Sequence, residues 1–564
     1  MPRVSPAALA GSWAPASIML VAAVSPFEWP LPVSIFGLTL TTVELTIVIA
    51  LTAGAITWRR DVHAWSWRTP LTLPLAAIVL SAFVSAALAP ELQGNAMRVA
   101  ARLAAAGLLF LMVANVATSE RVARGIIATL LGSAAIVGVI AVLELTQLPW
   151  ILDALKAFRP GFHVVGGQLR ATSTLFYPTI TSMFLEVAFA LGLVWIASSR
   201  LAFVALACAG AGIVATFTRA GLITMTISLL FYGGMLFARH RRWNAEHTRL
   251  AVLGMVLIAL VMLSRTPQML MARISAEGSQ EWYGASYDVP RHLTLRPDSF
   301  NDVPVTLKNE GRLTWQSATT PPFALSYHWL RPDTEEVLIF DGLRTPFAQP
   351  VEPGERVTMQ ARVRAPGYPG QYVLVWDVVQ EHRTWLSLEG VYPGRSAASV
   401  EGAAVGGPLP ARGRMPASVM RMPRTVLWST ALQIAGEHPL TGIGPDNFRH
   451  TYGGRLGMAA WDSRVHANNS YVEVLVGMGA IGVAALIWLV IASCRSAWAL
   501  FAGAAGTSPL AIAATAACLA IAAHALVDSF LTFTPTYVAF AIAAGLFAAA
   551  TARARARTGA TACA

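Results

Sequence analysis

The sequence predicts an α-helical polytopic membrane protein that crosses the bilayer about twelve times and carries an inserted extracytoplasmic β-sandwich. Three observations predict it. Hydrophobic residues make up 55% of the 564 residues and charged residues only 13%, with a mean hydropathy of +0.56, a balance foreign to soluble globular chains. Apolar stretches recur near 12–27, 38–57, 70–89, 100–117, 123–146, 173–197, 200–216, 220–237, 249–265, 470–493, 508–527 and 535–553, and a crossing takes roughly 20 residues. Between the ninth and tenth stretches the pattern changes to short runs of alternating apolar residues, which read as strands.

The first stretch, Ser12 to Val24, is followed at once by another apolar stretch and reads as a membrane segment, not a cleaved signal. The net charge of +11 does not point to nucleic acid, because basic cytoplasmic loops account for it in a chain this apolar. Arg59, Arg60 and Arg68 fall in one loop, Arg239 to Trp243 in another, and Arg553, Arg555 and Arg557 in the tail. With both termini inside, all three clusters are cytoplasmic. The same threading places Gln147 to Thr172, the Thr218–Arg219 turn, residues 266–469 and Asp528 to Pro535 outside. The four cysteines, Cys208, Cys494, Cys518 and Cys563, show neither a disulfide framework nor metal-ligand spacing.

The expected domains are a transmembrane block (1–265), the β-sandwich (266–395), a Gly/Ala-rich linker (396–423), an extracytoplasmic loop with a helix (424–469) and a second transmembrane block (470–564). The sandwich rests on eight runs, HLTLRP, VPVTLKN, RLTWQS, FALSYHWL, EEVLIFDG, RVTMQARVRAP, QYVLVWDVVQ and TWLSLEG. They are punctuated by turns at Asn309-Glu310-Gly311, Pro353-Gly354 and Pro369-Gly370. Trp315, Trp329 and Trp376 are its expected core. The region resembles the immunoglobulin-like modules appended to bacterial glycan enzymes.

Gly436 to Gly482 concentrates the chemistry. It opens with HPLTGIGPDNF, a turn in which Gly442 and Gly444 allow backbone angles other residues resist. It closes with RVHANNSYVE, a polar run entering an apolar stretch. Polar groups so close to a bilayer are costly unless they line a cavity or do chemistry. The segment resembles the hallmark region of the O-antigen ligase and polymerase family, bacterial membrane enzymes that move lipid-linked glycans. Members carry a turn of the form hPLtGvGpgnF, a short loop, a His-Asn pair, about nine residues and a Gly-x-x-Gly. Here the pair is Asn468-Asn469 and the glycines are Gly479 and Gly482. The ligases' histidine position holds Asn468, and the nearest histidine is His466, which points away from a lipid A core acceptor.

That resemblance implies a C-type glycosyltransferase fold in the bacterial inner membrane, with its catalytic face outside. The donor would be a polyprenyl-pyrophosphate-linked glycan, and the acceptor a hydroxyl on a glycan, lipid or protein. His466 can accept a proton from an acceptor hydroxyl, or serve only as an interfacial histidine bonded to a backbone carbonyl. Glu473 is the alternative base, or a partner for an arginine. Asn468 and Asn469 can hydrogen-bond sugar hydroxyls but are not bases.

Arginine holds phosphate through paired hydrogen bonds. Arg219 lies in a turn that resembles the family's T-x-S-R-a-G and defies the inside bias of cations; a snorkelling interfacial arginine is the other reading. Arg170 resembles the family's R-x-x-g-T-f-x-n-P arginine. Arg98 and Arg102 are four apart, on one helix face, and headgroup binding explains them equally well. No acidic partner for these cations is evident in the sequence. Asp528 closes His524-x-x-x-Asp528, similar to a family motif, and either orients an arginine or acts directly. His438 and Asp446 read as structural parts of the turn. No nucleotide-binding glycine loop, His-Glu-x-x-His or Asp-x-Asp occurs, so neither a metal nor another cofactor is expected. The rival readings are a polysaccharide transporter, a glycan-binding scaffold without catalysis, and a degenerate family member.

Overall fold

The computed structural model describes residues 13–35, 38–60, 62, 65–159, 163–165, 168–265, 267–275, 282–318, 322–381, 384–411, 424–458, 461–502, 508–530 and 532–562. Residues 412–423 of the expected linker and Cys563 lie outside them. The chain divides into a helical unit (Met1–His163, Arg170–Thr266, Arg424–Ala564) and a β-rich unit (Val164–Leu169, Pro267–Pro423).

Each of the twelve apolar stretches is a helix of the helical unit. Eight are long and apolar enough to cross a membrane by length and composition: Thr42–Arg60, Gln93–Val116, Glu120–Glu144, Pro178–Trp195, Arg219–His240, Ala245–Ser264, Ser470–Ala502 and Thr534–Ala556. The other four, Trp13–Val24, Thr72–Ala87, Arg200–Ala215 and Pro509–His524, are shorter. Their starts carry the expected chemistry. Ser119, Ser199 and Ser508 accept hydrogen bonds from the first turns of their helices, Asn244 forms a capping box with His247, and Pro178 and Pro509 open theirs.

Pro178–Trp195 and the first part of the C-terminal helix, residues 534–551, are buried almost throughout, while Ala245–Ser264 is the least buried of the eight. A helix apolar all round belongs in the middle of a bundle, and one with exposed leucines and methionines suits lipid. Close crossings use small residues. A Cβ on Gly138 would lie 2.1 Å from the Cys208 carbonyl oxygen, and one on Gly212 2.6 Å from the Gly138 Cα.

In the β-rich unit we number the strands β1 (Ala285–Asp288), β2 (His292–Leu295), β3 (Phe300–Asn309), β4 (Phe323–Leu330), β5 (Val337–Ile339), β6 (Thr345–Pro346), β7 (Arg356–Arg364), β8 (Gly370–Gln380), β9 (Thr384–Trp385) and β10 (Gly394–Val400). One sheet has the order β6-β4-β8-β10-β2, with β5 on β4 and β9 on β8; the other has the order β7-β3-β1. Among these ten strands the pairings are antiparallel except that of β10 with β2, which is parallel. Trp315, Trp329 and Trp376 are fully buried. Trp329 Nε1 donates to the Arg364 carbonyl at 3.1 Å, which ties the larger sheet to the smaller.

Three expectations change here. The RLTWQS run is not a strand; it contributes one bridge, Trp315 to Val351. TWLSLEG gives a two-residue strand and then a 3-10 turn, Leu386–Glu389. The last strand, β10, runs past 395 into the expected linker, because Gly370 to Trp376 offers it a full partner edge.

Candidate functional site

The polar loops of Gly436 to Gly482 are held by a backbone interlock. The helix Ser470–Ala502 breaks at Gly479, whose φ is 60°. The glycine turn lies against that break. Ile443 N donates to Val476 O at 3.0 Å, Gly444 N to Gly477 O at 2.9 Å, and Ala480 N to Pro439 O at 2.8 Å. The polar groups freed by the break are therefore satisfied by the turn, as buried backbone requires. Side chains do not fit between the two segments: a Cβ on Gly442 would come within 2.5 Å of the Gly477 carbonyl carbon, and one on Gly479 within 2.4 Å of the Leu440 carbonyl carbon. Asn447 pins the other side of the turn. Its Nδ2 donates to Glu91 O at 3.0 Å, and its Oδ1 accepts from Asn95 Nδ2 at 3.0 Å.

On this frame three titratable side chains converge. His466 is buried, with Nδ1 3.5 Å from Asp446 Oδ1 and 3.8 Å from Glu473 Oε1. Glu473 Oε1 also accepts from Ala467 N at 2.6 Å. Asp446 has a left-handed φ of 66° and takes a 2.9 Å bond from Arg449 Nε through Oδ2. Burial pushes the His466 imidazole below its ordinary value; the Asp446 and Asp528 carboxylates oppose that, while Arg449 and His450 reinforce it. A neutral imidazole is the base form.

Asn469 caps the helix. Its Oδ1 accepts from Tyr471 N at 2.9 Å and Val472 N at 3.1 Å, so this oxygen is committed to the helix start. Asn468 is half-buried with a left-handed φ of 51°. Asp528 is close by through Ser470: its carbonyl accepts Ser470 Oγ at 2.8 Å, and Phe530 N donates to the same Oγ at 2.9 Å. Phe533 stands edge-on to His466 at 5.6 Å and 6.5 Å from Tyr177, whose hydroxyl bonds Arg464.

The expected arginines fall in separate places. Arg170 Nε donates to Thr216 O at 3.1 Å and its Nη2 to Thr218 Oγ1 at 3.0 Å, so Arg170 braces the turn that carries Arg219. Arg98 is exposed three residues after Asn95, on the helix whose start touches the glycine turn. Arg102 has the acidic partner that the sequence did not reveal: its Nη2 lies 3.4 Å from Glu44 Oε1. His524, the other member of the motif that Asp528 closes, is engaged inside the bundle. Its Nδ1 meets Glu186 Oε2 at 2.8 Å, and Thr224 Oγ1 donates to that carboxylate at 2.5 Å.

Sequence reasoning missed Asp446 and Arg449 at the site, along with Glu186 and the buried Glu144–Arg159 pair at 2.6 Å. Glu144 Oε2 accepts from Thr172 N and Ser173 N at 3.0 and 2.8 Å, and so anchors the loop after Arg170. A carboxylate inside an apolar stretch was the available signal for both glutamates.

A groove of about 360 Å³ starts at Asp446, Ser470, Glu473 and Ser529 and continues between apolar side chains such as Val474, Met478, Leu486 and Leu489 to Ala497. From Ser470 to Ala497 the helix covers about 40 Å at 1.5 Å per residue, comparable with the thickness of a bilayer. No family model matches the chain, and no curated protein matches it.

Proposed function

We propose that the chain is a glycosyltransferase of the bacterial inner membrane, working at the extracytoplasmic face. It moves a glycan from a polyprenyl-pyrophosphate carrier to a hydroxyl on a glycan, lipid or protein acceptor during cell-surface polysaccharide assembly. One observation carries this reading: the buried His466 stands beside Asp446 and Glu473, and those two carboxylates line the polar end of an apolar groove along a spanning helix. A polyprenyl chain is the hydrocarbon such a groove suits, and its pyrophosphate would then lie at the mouth.

In the reaction His466 Nε2 takes the proton of the acceptor hydroxyl. The oxygen forms a bond to the anomeric carbon as the bond from that carbon to the phosphate oxygen breaks. The electron pair leaves with the polyprenyl pyrophosphate. Arg219 is the cation assigned to that charge, which is where fixed positive groups help most, with Arg170 bracing its turn. Arg102, held by Glu44, is assigned to positioning. Asn468 and the free amide of Asn469 bond sugar hydroxyls. In the β-rich unit the two sheets are assigned to an open sandwich outside the cell, available to glycan.

Deleting the gene should cause a glycan built on carrier lipid to accumulate, and restoring the wild type should clear it while the His466→Ala chain does not. If carrier-linked glycans in the deletion strain match the parent, the transferase reading fails and the scaffold reading takes its place.

A further inference from the structure

We infer that Asp446 is the positioning residue for His466: its Oδ1 receives the Nδ1–H of the imidazole and so keeps Nε2 free for the acceptor hydroxyl. The inference rests on the transferase reading for its chemistry, but not for its geometry. Nδ1 of His466 and Oδ1 of Asp446 are both buried, stand 3.5 Å apart, and have no other hydrogen-bond partner among the described residues. Two buried polar atoms in that state are expensive unless they bond each other. Catalytic contacts that are long in an empty site commonly tighten when substrate fills it. Glu473 is the weaker candidate for this role. It is farther, at 3.8 Å, and the oxygen nearest the ring already accepts the Ala467 amide at 2.6 Å.

The backbone supports the assignment independently. Asp446 holds a φ of 66°, a conformation that suits glycine and is strained for most other residues. Asn447 fixes the turn on both sides, so the strain is retained by its surroundings. Glycine, asparagine and aspartate all serve a turn of this kind, and of the three only aspartate also offers His466 a carboxylate. Arg449 Nε bonds the other oxygen, Oδ2, at 2.9 Å, which aims Oδ1 at the ring.

The groups facing His466 are Asp446, Arg449 and His450 from the turn and the helix after it, Glu473 from the spanning helix, and Asp528 from the turn after His524. Removing Asp446 takes away a charge that favours the imidazolium, so His466 titrates at lower pH; removing Arg449 does the reverse.

The decisive variant is Asp446→Gly, which suits the left-handed backbone. Its thermal midpoint should equal or exceed that of the wild type, and donor binding should not weaken. Turnover should fall about 10²-fold or more, the acid limb of the pH–rate profile should move down, and Arg449→Gln should move that limb up. Asp446→Glu should restore part of the lost turnover. Wild-type turnover in Asp446→Gly overturns the inference, as does a loss of turnover with the acid limb unmoved. Isotope-edited histidine NMR on the full chain reads the same geometry without turnover: the His466 signal should show a proton on Nδ1 and titrate lower in Asp446→Gly. A wild type inactive on every lipid-linked glycan defeats the transferase reading alone, and an unmoved His466 signal in Asp446→Gly defeats this one.

Discussion

Glu186 and His524 meet at 2.8 Å in the interior of the bundle, and Asp446 and His466 face each other at 3.5 Å between two loops. Both pairs join a carboxylate to an imidazole and both are buried, yet they are built for different ends. In the first the contact is made at Nδ1, while Nε2 of His524 is buried without a hydrogen-bond partner among the described residues. Glu186 comes from Pro178–Gly192, His524 from Pro509–His524 and Thr224 from Arg219–His240, so one carboxylate links three helices. In the second the left-handed aspartate lines the mouth of a groove, and the contact with His466 is not yet made. Among apolar helices a satisfied polar network stabilises and specifies packing. A polar pair beside open space is poised to act on something else.

The largest effect expected from this contrast is on stability. Glu186→Ala leaves His524 buried without its partner and should lower unfolding stability by about 3–5 kcal/mol, whereas His466→Ala should cost little. Thermal unfolding in detergent compares them, and equal melting temperatures would erase the distinction. A smaller effect concerns the donor. If the open pair works beside a bound pyrophosphate, Arg219→Ala should weaken donor binding by about ten- to a hundredfold, the loss of a charge-assisted contact of roughly 1.5–3 kcal/mol. Lysine at that position should recover only part, because the paired geometry is lost. Binding of a labelled lipid-linked oligosaccharide measures it, and unchanged affinity would remove Arg219 from the site.

The smallest effect is on pH dependence, and it belongs to the open pair. His466 has a folded-state value below its ordinary one of about 6.5. Between those values the folded chain binds fewer protons than the unfolded chain. Its contribution to stability is therefore present above about pH 6.5 and lost as pH falls through the lowered value. Turnover should fall in the same direction, as the base becomes protonated. His466→Gln should remove that acid-side stability loss, and a loss that persists in the variant would assign it elsewhere.

What the sequence made legible follows from which interactions are local. Apolar length is a local property, so the twelve apolar stretches all proved to be helices, four of them short. Strand alternation found β3, β4 and β7. Where tertiary pairing decides, the pattern failed: β10 exists because β8 lies beside it, and Leu386–Glu389 curls although its residues alternate. At the site the glycines were visible, but their reason was not, because Gly479 yields to Leu440 and Thr441, far earlier in the chain. Asp446 was hidden by its neighbours; in Gly-Ile-Gly-Pro-Asp-Asn it reads as a turn former, and only the folded loop brings it to His466. Arg102 taught the converse, since Glu44 lies on another helix and no spacing rule joins them.

The account turns on whether the open pair moves a proton for glycan transfer, and the most direct measurement is turnover of a lipid-linked oligosaccharide by purified wild-type and His466→Ala chains, with donor binding measured in parallel. The account predicts near-normal donor binding and turnover lower by about 10²–10⁴-fold in the variant. Near-wild-type turnover of His466→Ala would contradict it and leave Glu473 as the remaining base at the groove mouth.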